Sequence, residues 1–320
     1  MRYTTLGKTG LRVSVAGLGC GGFSRLGLAA GKSEEEAADL IRYAVDLGIN
    51  YIDTSPAYET EAAVGKALKT LARDEVYVAT KVHVRRGGEW FTPDRVRTSI
   101  DNSLRLLGTD YVDVFQLHGV RATEYDYAVE TLLPILQAAQ AAGKIRHLGI
   151  TELPTEDFSH DMLSRAVQDD VWQVFMTAFH MMHQSARQTL FPAMIEKNIG
   201  SLLMFAVRSI FAKPERVAAA LKEAAAQGKV AAWLGEDKEP LGFLLHEEGA
   251  ATITEAAYRF AMHEPGVDVV LFGTGDREHL KANVKSLLMP ALPSADSARL
   301  AELFGSLIGV GMDAAPTQTK

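Results

Sequence analysis

The segment Asn50-Tyr51-Ile52-Asp53-Thr54-Ser55-Pro56-Ala57-Tyr58 begins as a short apolar run and ends in polar residues around a proline. A run that is too short for a helix and does not alternate with polar residues is typical of a strand in a parallel sheet. A helical pattern precedes it, in which Ser33 is a suitable N-cap, three glutamates follow, and Gly48 ends the apolar stripe. These residues therefore predict a helix, a tight turn and a buried strand.

The same order of strand and helix recurs along the chain. Eight apolar runs occur at Val13–Leu18, Asn50–Ser55, Val76–Val82, Asp113–His118, Arg146–Thr151, Trp172–Phe179, Ser201–Val207 and Val267–Thr274. Further helical patterns occupy Thr123–Ala142, Ala186–Lys197, Pro214–Gln227 and Thr254–His263, and Thr92-Pro93 opens another. Alternating strands and helices form right-handed βαβ units, and eight of these close into a barrel. We predict an α/β fold, a (β/α)₈ TIM barrel with extra C-terminal helices.

The two ends of the chain carry additional features. Tyr3–Val15, with Gly7 and Gly10, predicts an N-terminal β-hairpin that plugs the floor of the barrel. Asp313–Lys320 is small, polar and contains proline, which is typical of a frayed tail. We therefore expect one barrel domain over residues 1–312 and a frayed tail over residues 313–320.

Composition excludes several classes of function. A formal net charge of −7 argues against nucleic-acid binding, which needs a basic face. The one cysteine, Cys20, allows no intrachain disulfide and fits a reducing compartment. The N-terminus lacks the apolar core of a signal peptide, and Ser201–Val207 is too short to span a bilayer. We expect a cytoplasmic protein that acts on a small molecule, and the sequence leaves the oligomeric state open.

Two motifs favour structural interpretations. Gly17–Gly22 matches the G-x-G-x-x-G pattern, but the next helix cap is Ser33, whereas a dinucleotide-binding loop opens its helix at the third glycine. We interpret these glycines as a turn at the barrel mouth. His180-Met181-Met182-His183 could bring two imidazoles together, but no third ligand is evident, so we expect no metal site.

Polar residues follow three successive predicted strands at the end where TIM barrels place their chemistry. These residues are Asp53, Tyr58, Lys81 and His118. Each has a structural alternative, such as a turn cap for the aspartate or a surface phenol for the tyrosine. Together they point to a site, because a buried lysine needs an anion and Asp53 supplies one.

The chemistry that suits this set is carbonyl reduction. Hydride addition to a carbonyl leaves an alkoxide that needs a proton, and a free tyrosine with a pKa near 10 is a weak donor. An ammonium about 4 Å from the phenol favours phenolate by about 4 kcal/mol at an effective dielectric of about 20, before burial opposes it. Lys81 would therefore tune Tyr58, Asp53 would hold Lys81, and His118 would orient the carbonyl.

Four segments carry a resemblance to a known family. Asp53–Tyr58, Ala79–Val82 and Asp110–His118 resemble, in order and spacing, the strand-end motifs of the aldo-keto reductase superfamily, and Leu6–Ser14 resembles its opening hairpin. The similarity runs from Met1 to about Asn283. It implies the barrel fold, a nicotinamide cofactor and the reduction of aldehydes and ketones.

The resemblance also implies roles for individual residues. Tyr58 corresponds to the general acid/base, Lys81 to its pKa partner, Asp53 to their support and His118 to the substrate-orienting residue. The residues predicted to bind the cofactor, including two glycines of the turn at the barrel mouth, are Gly21, Gly22, Asp53, Thr151, Glu152, Phe205, Arg208, Gly273, Thr274, Gly275, His279 and Asn283.

This sequence departs from the family at the cofactor. Glu152 stands where the family has an asparagine, and a carboxylate can accept from the nicotinamide amide but cannot donate to it. His279 stands where an arginine usually contacts the adenosine phosphate, while Asn283 is retained. We favour NADP(H) over NAD(H), and both remain candidate cofactors.

Three functions are compatible with these residues. The first is an NAD(P)H-dependent oxidoreductase that reduces an aldehyde or ketone, or oxidises the corresponding alcohol or sugar. The second is a non-catalytic sensor or subunit that binds a nicotinamide nucleotide on the same fold. The third is a lyase that forms a Schiff base through Lys81.

Overall fold

The strands of the computed structural model define a barrel and two small hairpins. The structure describes residues 1–212 and 214–312, so the predicted tail at 313–320 lies outside the described residues. The strands are β1 Tyr3–Thr5, β2 Arg12–Ser14, β3 Ala16–Gly19, β4 Tyr51–Asp53, β5 Tyr77–His83, β6 Arg85–Arg86, β7 Glu89–Trp90, β8 Val112–Val120, β9 Ile145–Glu152, β10 Val174–Ala178, β11 Gly200–Met204 and β12 Val269–Phe272.

Helices surround the barrel. They are α1 Glu34–Asp46, α2 Glu61–Leu68, α3 Pro93–Leu107, α4 Tyr125–Tyr127, α5 Leu133–Ala141, α6 Asp161–Ala166, α7 Ala186–Thr189, α8 Phe191–Glu196, α9 Pro214–Ala226, α10 Ala232–Glu236, α11 Ile253–Met262, α12 Arg277–Leu288 and α13 Ser294–Phe304. A π-helical turn, Ala128–Leu132, joins α4 to α5.

The predicted barrel is confirmed. Eight parallel strands close in the order β10-β11-β12-β3-β4-β5-β8-β9, and each of the eight predicted runs overlaps one of them. The strands are mostly shorter than the runs, because the polar residues at the ends of the runs turn away into loops. Apolar side chains fill both the barrel and the layer between strands and helices.

The helix starts follow the predicted caps. Ser33 and Glu36 form a reciprocal capping box at α1, and Thr92 caps α3 by accepting from the backbone N–H of Arg95. No helix opens at Gly22, so the interpretation of Gly17–Gly22 as a turn agrees with the structure. The predicted extra C-terminal helices are α12 and α13.

The N-terminal hairpin closes the barrel's floor, as predicted. Strands β1 and β2 pair antiparallel, and Leu6 between them is fully buried in the cluster that fills the barrel interior. The hairpin lies so close to β11 that a Cβ on Gly200 would be 2.7 Å from Cγ of Leu6. The closed floor leaves the opposite end, where the strands terminate, as the end that carries polar side chains.

The helices around the barrel are short or amphipathic. Within residues 1–212 and 214–312, none of them is both long enough and apolar enough to cross a bilayer.

Candidate active site

The four predicted site residues meet at the mouth of the barrel. Strands β4, β5 and β8 are neighbours, with Asp53 paired to Ala79, Lys81 to Gln116 and His83 to His118. Asp53 ends β4, while Lys81 and His118 lie on β5 and β8 close to their carboxyl ends. The barrel therefore places three successive strand ends around one point.

A buried ion pair anchors the site. The Nζ atom of Lys81 lies 2.6 Å from both carboxylate oxygens of Asp53 and donates to the carbonyl oxygen of Thr54 at 3.0 Å. Gln116 donates to Oδ1 of Asp53 at 3.4 Å. Burial acts to lower the pKa of Lys81, but the adjacent carboxylate outweighs it and raises that pKa, so the side chain stays an ammonium. The sequence-based pairing of Lys81 with Asp53 agrees with this geometry.

Tyr58 reaches the ion pair from a tight turn. Ser55 caps the short 3₁₀ turn Pro56–Tyr58, and Glu59 leaves it in the left-handed conformation with a φ of 58°. The phenol ring packs on Gly21, where a Cβ would approach within 2.8 Å of the ring, and its centroid lies 4.9 Å from Nζ of Lys81. A residue larger than glycine at position 21 would therefore push the tyrosine away from Lys81.

Burial and Lys81 act in opposite directions on the pKa of Tyr58. Burial raises the pKa of the phenol, and the nearby ammonium of Lys81, which lowers that pKa, does not offset it. The carboxylate of Asp53 adds to the rise. In this structure Tyr58 is therefore a protonated donor at neutral pH, and Lys81 moderates its pKa without making it phenolate.

His118 lies beside the phenol as a neutral imidazole. Its Nε2 is 3.3 Å from the hydroxyl of Tyr58, and the two rings meet edge to face. Burial, together with the charge of Lys81, holds the pKa of His118 well below its usual range. A neutral imidazole carries one N–H, so its tautomer decides which atom can donate.

Ser55 contacts the other ring nitrogen of His118. Its hydroxyl oxygen accepts from the backbone N–H of Ala57 at 3.2 Å and lies 3.3 Å from Nδ1 of His118. When the hydroxyl donates to Nδ1, the imidazole carries its proton on Nε2, beside Tyr58. Two donors, the phenol and Nε2–H, then converge on one point at the barrel mouth.

His83 is a site residue that the sequence analysis missed. Its ring stacks on His118 at a centroid distance of 4.4 Å, and its Nδ1 lies 3.2 Å from the carbonyl oxygen of His118. The available signal was its position two residues after Lys81 on β5, because alternate residues of a strand share a face.

The predicted phosphate loop after β12 packs against the glycine loop after β3. A Cβ on Gly273 would be 2.9 Å from the carbonyl oxygen of Gly19, and one on Gly275 would be 2.7 Å from the backbone of Gly27. Lys32 donates to the carbonyl oxygen of Gly275 at 2.6 Å. Lys32 thus brings a cation to this loop that the sequence analysis did not assign.

The helix that follows this loop is capped by its own carboxylate. Asp276 accepts from the backbone N–H of His279 at 2.9 Å, and this bond lowers the pKa of Asp276. Thr274 accepts from the backbone N–H of Asp276 at 3.1 Å. His279 is exposed and Asn283 is half-buried on α12. A phosphate at this helix would therefore compete with Asp276 for backbone donors.

Phe205 and Arg208 form a stacked pair after β11. The guanidinium carbon of Arg208 lies 3.9 Å from the centroid of the Phe205 ring. Phe205 has a φ of 70°, a left-handed conformation that is costly for a residue with a Cβ and that concentrates at functional sites. The backbone therefore holds this aromatic ring in place against local strain.

Thr151 and Glu152 are bound within the protein. Thr151 accepts from the backbone N–H of Gly119 at 2.7 Å. Glu152 is buried, with one oxygen 2.8 Å from Nδ1 of His160 and the other accepting from Thr177 and from the backbone N–H of Ala178. Hydrogen bonds within the protein therefore satisfy both oxygens of the Glu152 carboxylate.

The two histidines that follow β10 belong to no metal-binding cluster. The rings of His180 and His183 lie 5.9 Å apart at centroids and are tilted, and both residues are fully buried. Among residues 1–212 and 214–312, no three histidine, cysteine or carboxylate side chains are arranged to hold a metal ion.

Sequence comparison identifies two relatives with named activities. The chain is 37% identical to L-galactose dehydrogenase of Arabidopsis thaliana over 201 residues, which cover 61% of this chain and 62% of that protein. It is 30% identical to D-threo-aldose 1-dehydrogenase of a Pseudomonas species over 222 residues, which cover 60% of this chain and 65% of that protein. The matched stretches thus span less than two thirds of either relative's own length.

Structural comparison adds the fold. An aldo-keto reductase from Bacillus halodurans, in its holo form, superposes with a TM-score of 0.72 at 22% sequence identity and covers 100% of both chains. The model of the Aldo/keto reductase family matches residues 17–304, from within β3 to the end of α13. The chain belongs to the aldo/keto reductase family.

Proposed function

We propose that the protein is an oxidoreductase that interconverts a carbonyl and the corresponding alcohol, with Tyr58 as general acid/base. The observation that carries the proposal is the convergence of the Tyr58 hydroxyl and Nε2 of His118, 3.3 Å apart, beside the buried Lys81–Asp53 pair. Members of this family generally use nicotinamide cofactors, and such a cofactor supplies or accepts the hydride when it is bound.

The chain's own residues handle the oxygen and its proton. Nε2–H of His118 donates to the carbonyl oxygen and fixes its direction. As the carbonyl carbon gains a hydride, the oxygen becomes an alkoxide and takes the proton of the Tyr58 hydroxyl, so carbonyl, hydride and proton give the alcohol. Lys81 stabilises the phenolate that remains, and Asp53 keeps Lys81 charged and in place. Oxidation of an alcohol is the same sequence in reverse.

The residues at the mouth fit a phosphate-bearing nucleotide in part. The stacked Phe205 ring and Arg208, the glycine loop Gly273–Gly275, and the added cation of Lys32 have the chemistry to hold an aromatic ring and phosphates. Gly22 adds an open backbone position, where a Cβ would meet nothing within 4 Å. Asp53, Thr151, Glu152, His279 and Asn283 remain predicted cofactor contacts.

We favour NADP(H) over NAD(H) because cations surround the same loop. Lys32 contacts Gly275, and Arg277 lies on α12 with its guanidinium 5.1 Å from the Tyr43 ring. The carboxylate of Asp276 opposes a phosphate there. The ratio of KM values for the two reduced cofactors, with the same carbonyl, decides the preference.

The test of the proposed chemistry is Tyr58→Phe. With NADPH or NADH and a panel of aldehydes, ketones and aldoses that includes the substrates in the names of the two relatives, the native chain should turn over at least one of them. Removing the phenol hydroxyl should lower kcat by about 100- to 10,000-fold, while the far-UV spectrum and cofactor binding stay unchanged. A variant that keeps native turnover would rule out Tyr58 as the proton donor.

The second candidate function is a sensor or subunit that binds a nicotinamide nucleotide without catalysing a reaction. The observation that favours it is the internal hydrogen bonding of Glu152, which stands where the family binds the nicotinamide amide. Such a sensor would bind NADPH or NADH tightly in titration calorimetry and convert no member of the panel.

A further inference from the structure

We propose that a cleft beside His118 binds an anionic group, a carboxylate or a phosphate, on the substrate itself. The inference rests on the proposed function, because it assigns a substrate class to the same site. The sugars in the names of the two relatives, L-galactose and a D-threo-aldose, carry no ionised group.

The cleft is basic throughout. It has a volume of about 500 Å³, within the range of small-molecule sites. Its lining consists of His83, Arg85, Arg86, Gly87, Gly88, His118, Gly119, Arg121 and Leu153. Three of the lining residues are arginines and none is acidic, in a chain whose formal net charge is −7. The cleft therefore opposes the charge of the whole molecule.

A tight hairpin carries Arg85 and Arg86, two of the arginines that line the cleft. β6 and β7 pair antiparallel through Gly87 and Gly88, whose φ values of 59° and 86° match a type I′ turn. Arg85 donates from Nε to the carbonyl oxygen of Gly88 at 3.2 Å, and its guanidinium carbon lies 5.3 Å from the Trp90 ring centroid. These two contacts hold the Arg85 side chain against the turn and Trp90.

The glutamates near the cleft form ion pairs with arginines other than Arg85 and Arg86. Arg121 contacts Glu156 at 2.7 Å and Glu124 at 3.1 Å, so its charge is largely compensated. Glu89, which faces Arg86 across the hairpin, contacts Arg95 at 3.5 Å. Arg86 forms no ion pair with any residue of 1–212 or 214–312, and Arg85 bonds only a backbone carbonyl. These two arginines hold the uncompensated charge.

The cleft adjoins the reacting point and lies across the barrel from the predicted phosphate contacts after β11 and β12. His83 stacks on His118, whose Nε2 meets Tyr58, and Arg86 follows His83 by three residues, about 10 Å along an extended chain. In the closed barrel β5 lies opposite β11 and β8 lies opposite β12. An anion in the cleft therefore belongs to a substrate whose ionised group lies several bonds from its carbonyl, as in a sugar acid, a sugar phosphate or an oxo acid.

The experiment compares matched substrates with the full chain and saturating cofactor. The pairs are succinic semialdehyde with butanal, glyceraldehyde 3-phosphate with glyceraldehyde, and galacturonate with galactose. We expect kcat/KM for the anionic member of at least one pair to exceed that of the neutral member by about 10- to 100-fold, through a lower KM. The pair with the larger ratio distinguishes a carboxylate from a phosphate.

Arginine variants test whether the cleft causes the preference for anionic substrates. Arg85→Gln with Arg86→Gln should remove most of the ratio and leave kcat/KM for the neutral substrates within about twofold. Arg97→Gln serves as the matched control, because Arg97 is an exposed arginine on α3 that pairs with Asp94 at 2.5 Å. Inorganic phosphate and succinate should raise the melting temperature of the native chain and of the Arg97 variant, but not of the double variant.

Each contrary outcome has a distinct meaning. Equal kcat/KM for anionic and neutral members, or a ratio that survives in the double variant, overturns the anionic subsite. A double variant that raises the KM of the cofactor instead assigns the arginines to the nucleotide and also overturns it. If no carbonyl or alcohol is turned over at all, the proposed function has failed, while the shift in melting temperature still reports on the subsite.

Discussion

Ser55 connects the turn after β4 to the imidazole on β8. Its oxygen accepts from the backbone N–H of Ala57 and lies 3.3 Å from Nδ1 of His118. The hydroxyl touches neither Tyr58 nor the reacting point, so Ser55 is a positioning residue. Its contribution should be visible in kinetics and small in stability.

Ser55→Ala should lower kcat by about 3- to 10-fold with a smaller change in KM, because the loss of one neutral hydrogen bond lets the two tautomers of His118 exchange. Ser55→Thr, which keeps a hydroxyl, should restore most of kcat. Ser99→Ala on α3 is the control. Steady-state kinetics over a pH series measures both constants, and equal loss in the alanine and threonine variants would show that side-chain volume alone matters.

The residues at strand ends were predictable, and those that depend on tertiary contact were not. Lys81 stands out in the sequence because an apolar run that ends in a lysine requires an anionic partner, and the structure supplies Asp53. The role of Lys32 depends on the approach of the loop after β12, where Gly275 lies 243 residues further along the chain. The net pKa shift of Tyr58 was also beyond the sequence, because it depends on how deeply the ring is buried.

The N-terminal hairpin plugs the barrel through Leu6, Leu11 and Val13, which belong to the cluster that fills its interior. Leu6 is fully buried among the apolar residues that fill the barrel, and it lies against Gly200 at the start of β11. The hairpin strands themselves are three residues long, so their own hydrogen bonds contribute little to stability.

Leu6→Ala should reduce the free energy of unfolding by about 2 to 5 kcal/mol, because it leaves a cavity in the floor that the closed barrel cannot collapse to fill. The control is Leu106→Ala, the same change at a position that is 38% exposed on α3. Urea unfolding followed by circular dichroism measures both. Similar losses in the two variants would show that the hairpin does not support the barrel.

Short elements were the ones missed from the sequence. β6 and β7 contain two residues each, too few for a period, although the Gly-Gly pair between them is a hairpin signal that could have been used. Helix α2 begins after Thr60, whose side chain makes no capping bond and pairs with Thr54 instead. Longer amphipathic helices such as α1 and α3 carried both caps and periodicity, and their starts were predicted correctly.

At the scale of the whole molecule, buried histidines reduce the stability of the folded chain at acidic pH. Burial lowers the pKa of His183 to about 3, with the charge of His160 adding to the effect, and it holds the pKa of His180 well below its usual range. Between about pH 3 and 6.5 His183 is therefore protonated to a greater extent in the unfolded chain than in the folded one, so its contribution to stability falls as the pH falls. His160 has a raised pKa, because Glu152 outweighs burial, and it does not contribute to this window.

His183→Asn should flatten this acid dependence by about 1.4 kcal/mol per pH unit below pH 6. The amide oxygen of asparagine can replace Nδ1 of His183 as the acceptor for the backbone N–H of Gly309, now at 3.2 Å. His279→Asn, at an exposed position, is the control. Urea unfolding between pH 4 and pH 7 gives the slopes, and identical slopes for all three chains would exclude His183 as a source of acid sensitivity.

The sole cysteine of the chain offers a way to time the opening of the barrel mouth. Cys20 is fully buried between β3 and Gly21, with its backbone N–H bonded to the carbonyl oxygen of Asp53 at 2.8 Å, and burial raises the pKa of its thiol. A thiol reagent can reach it only when the glycine loop lifts away from Tyr58. The rate at which Cys20 is labelled therefore measures how often the loop opens. A ligand that holds this loop closed would lower the labelling rate even when no reaction takes place.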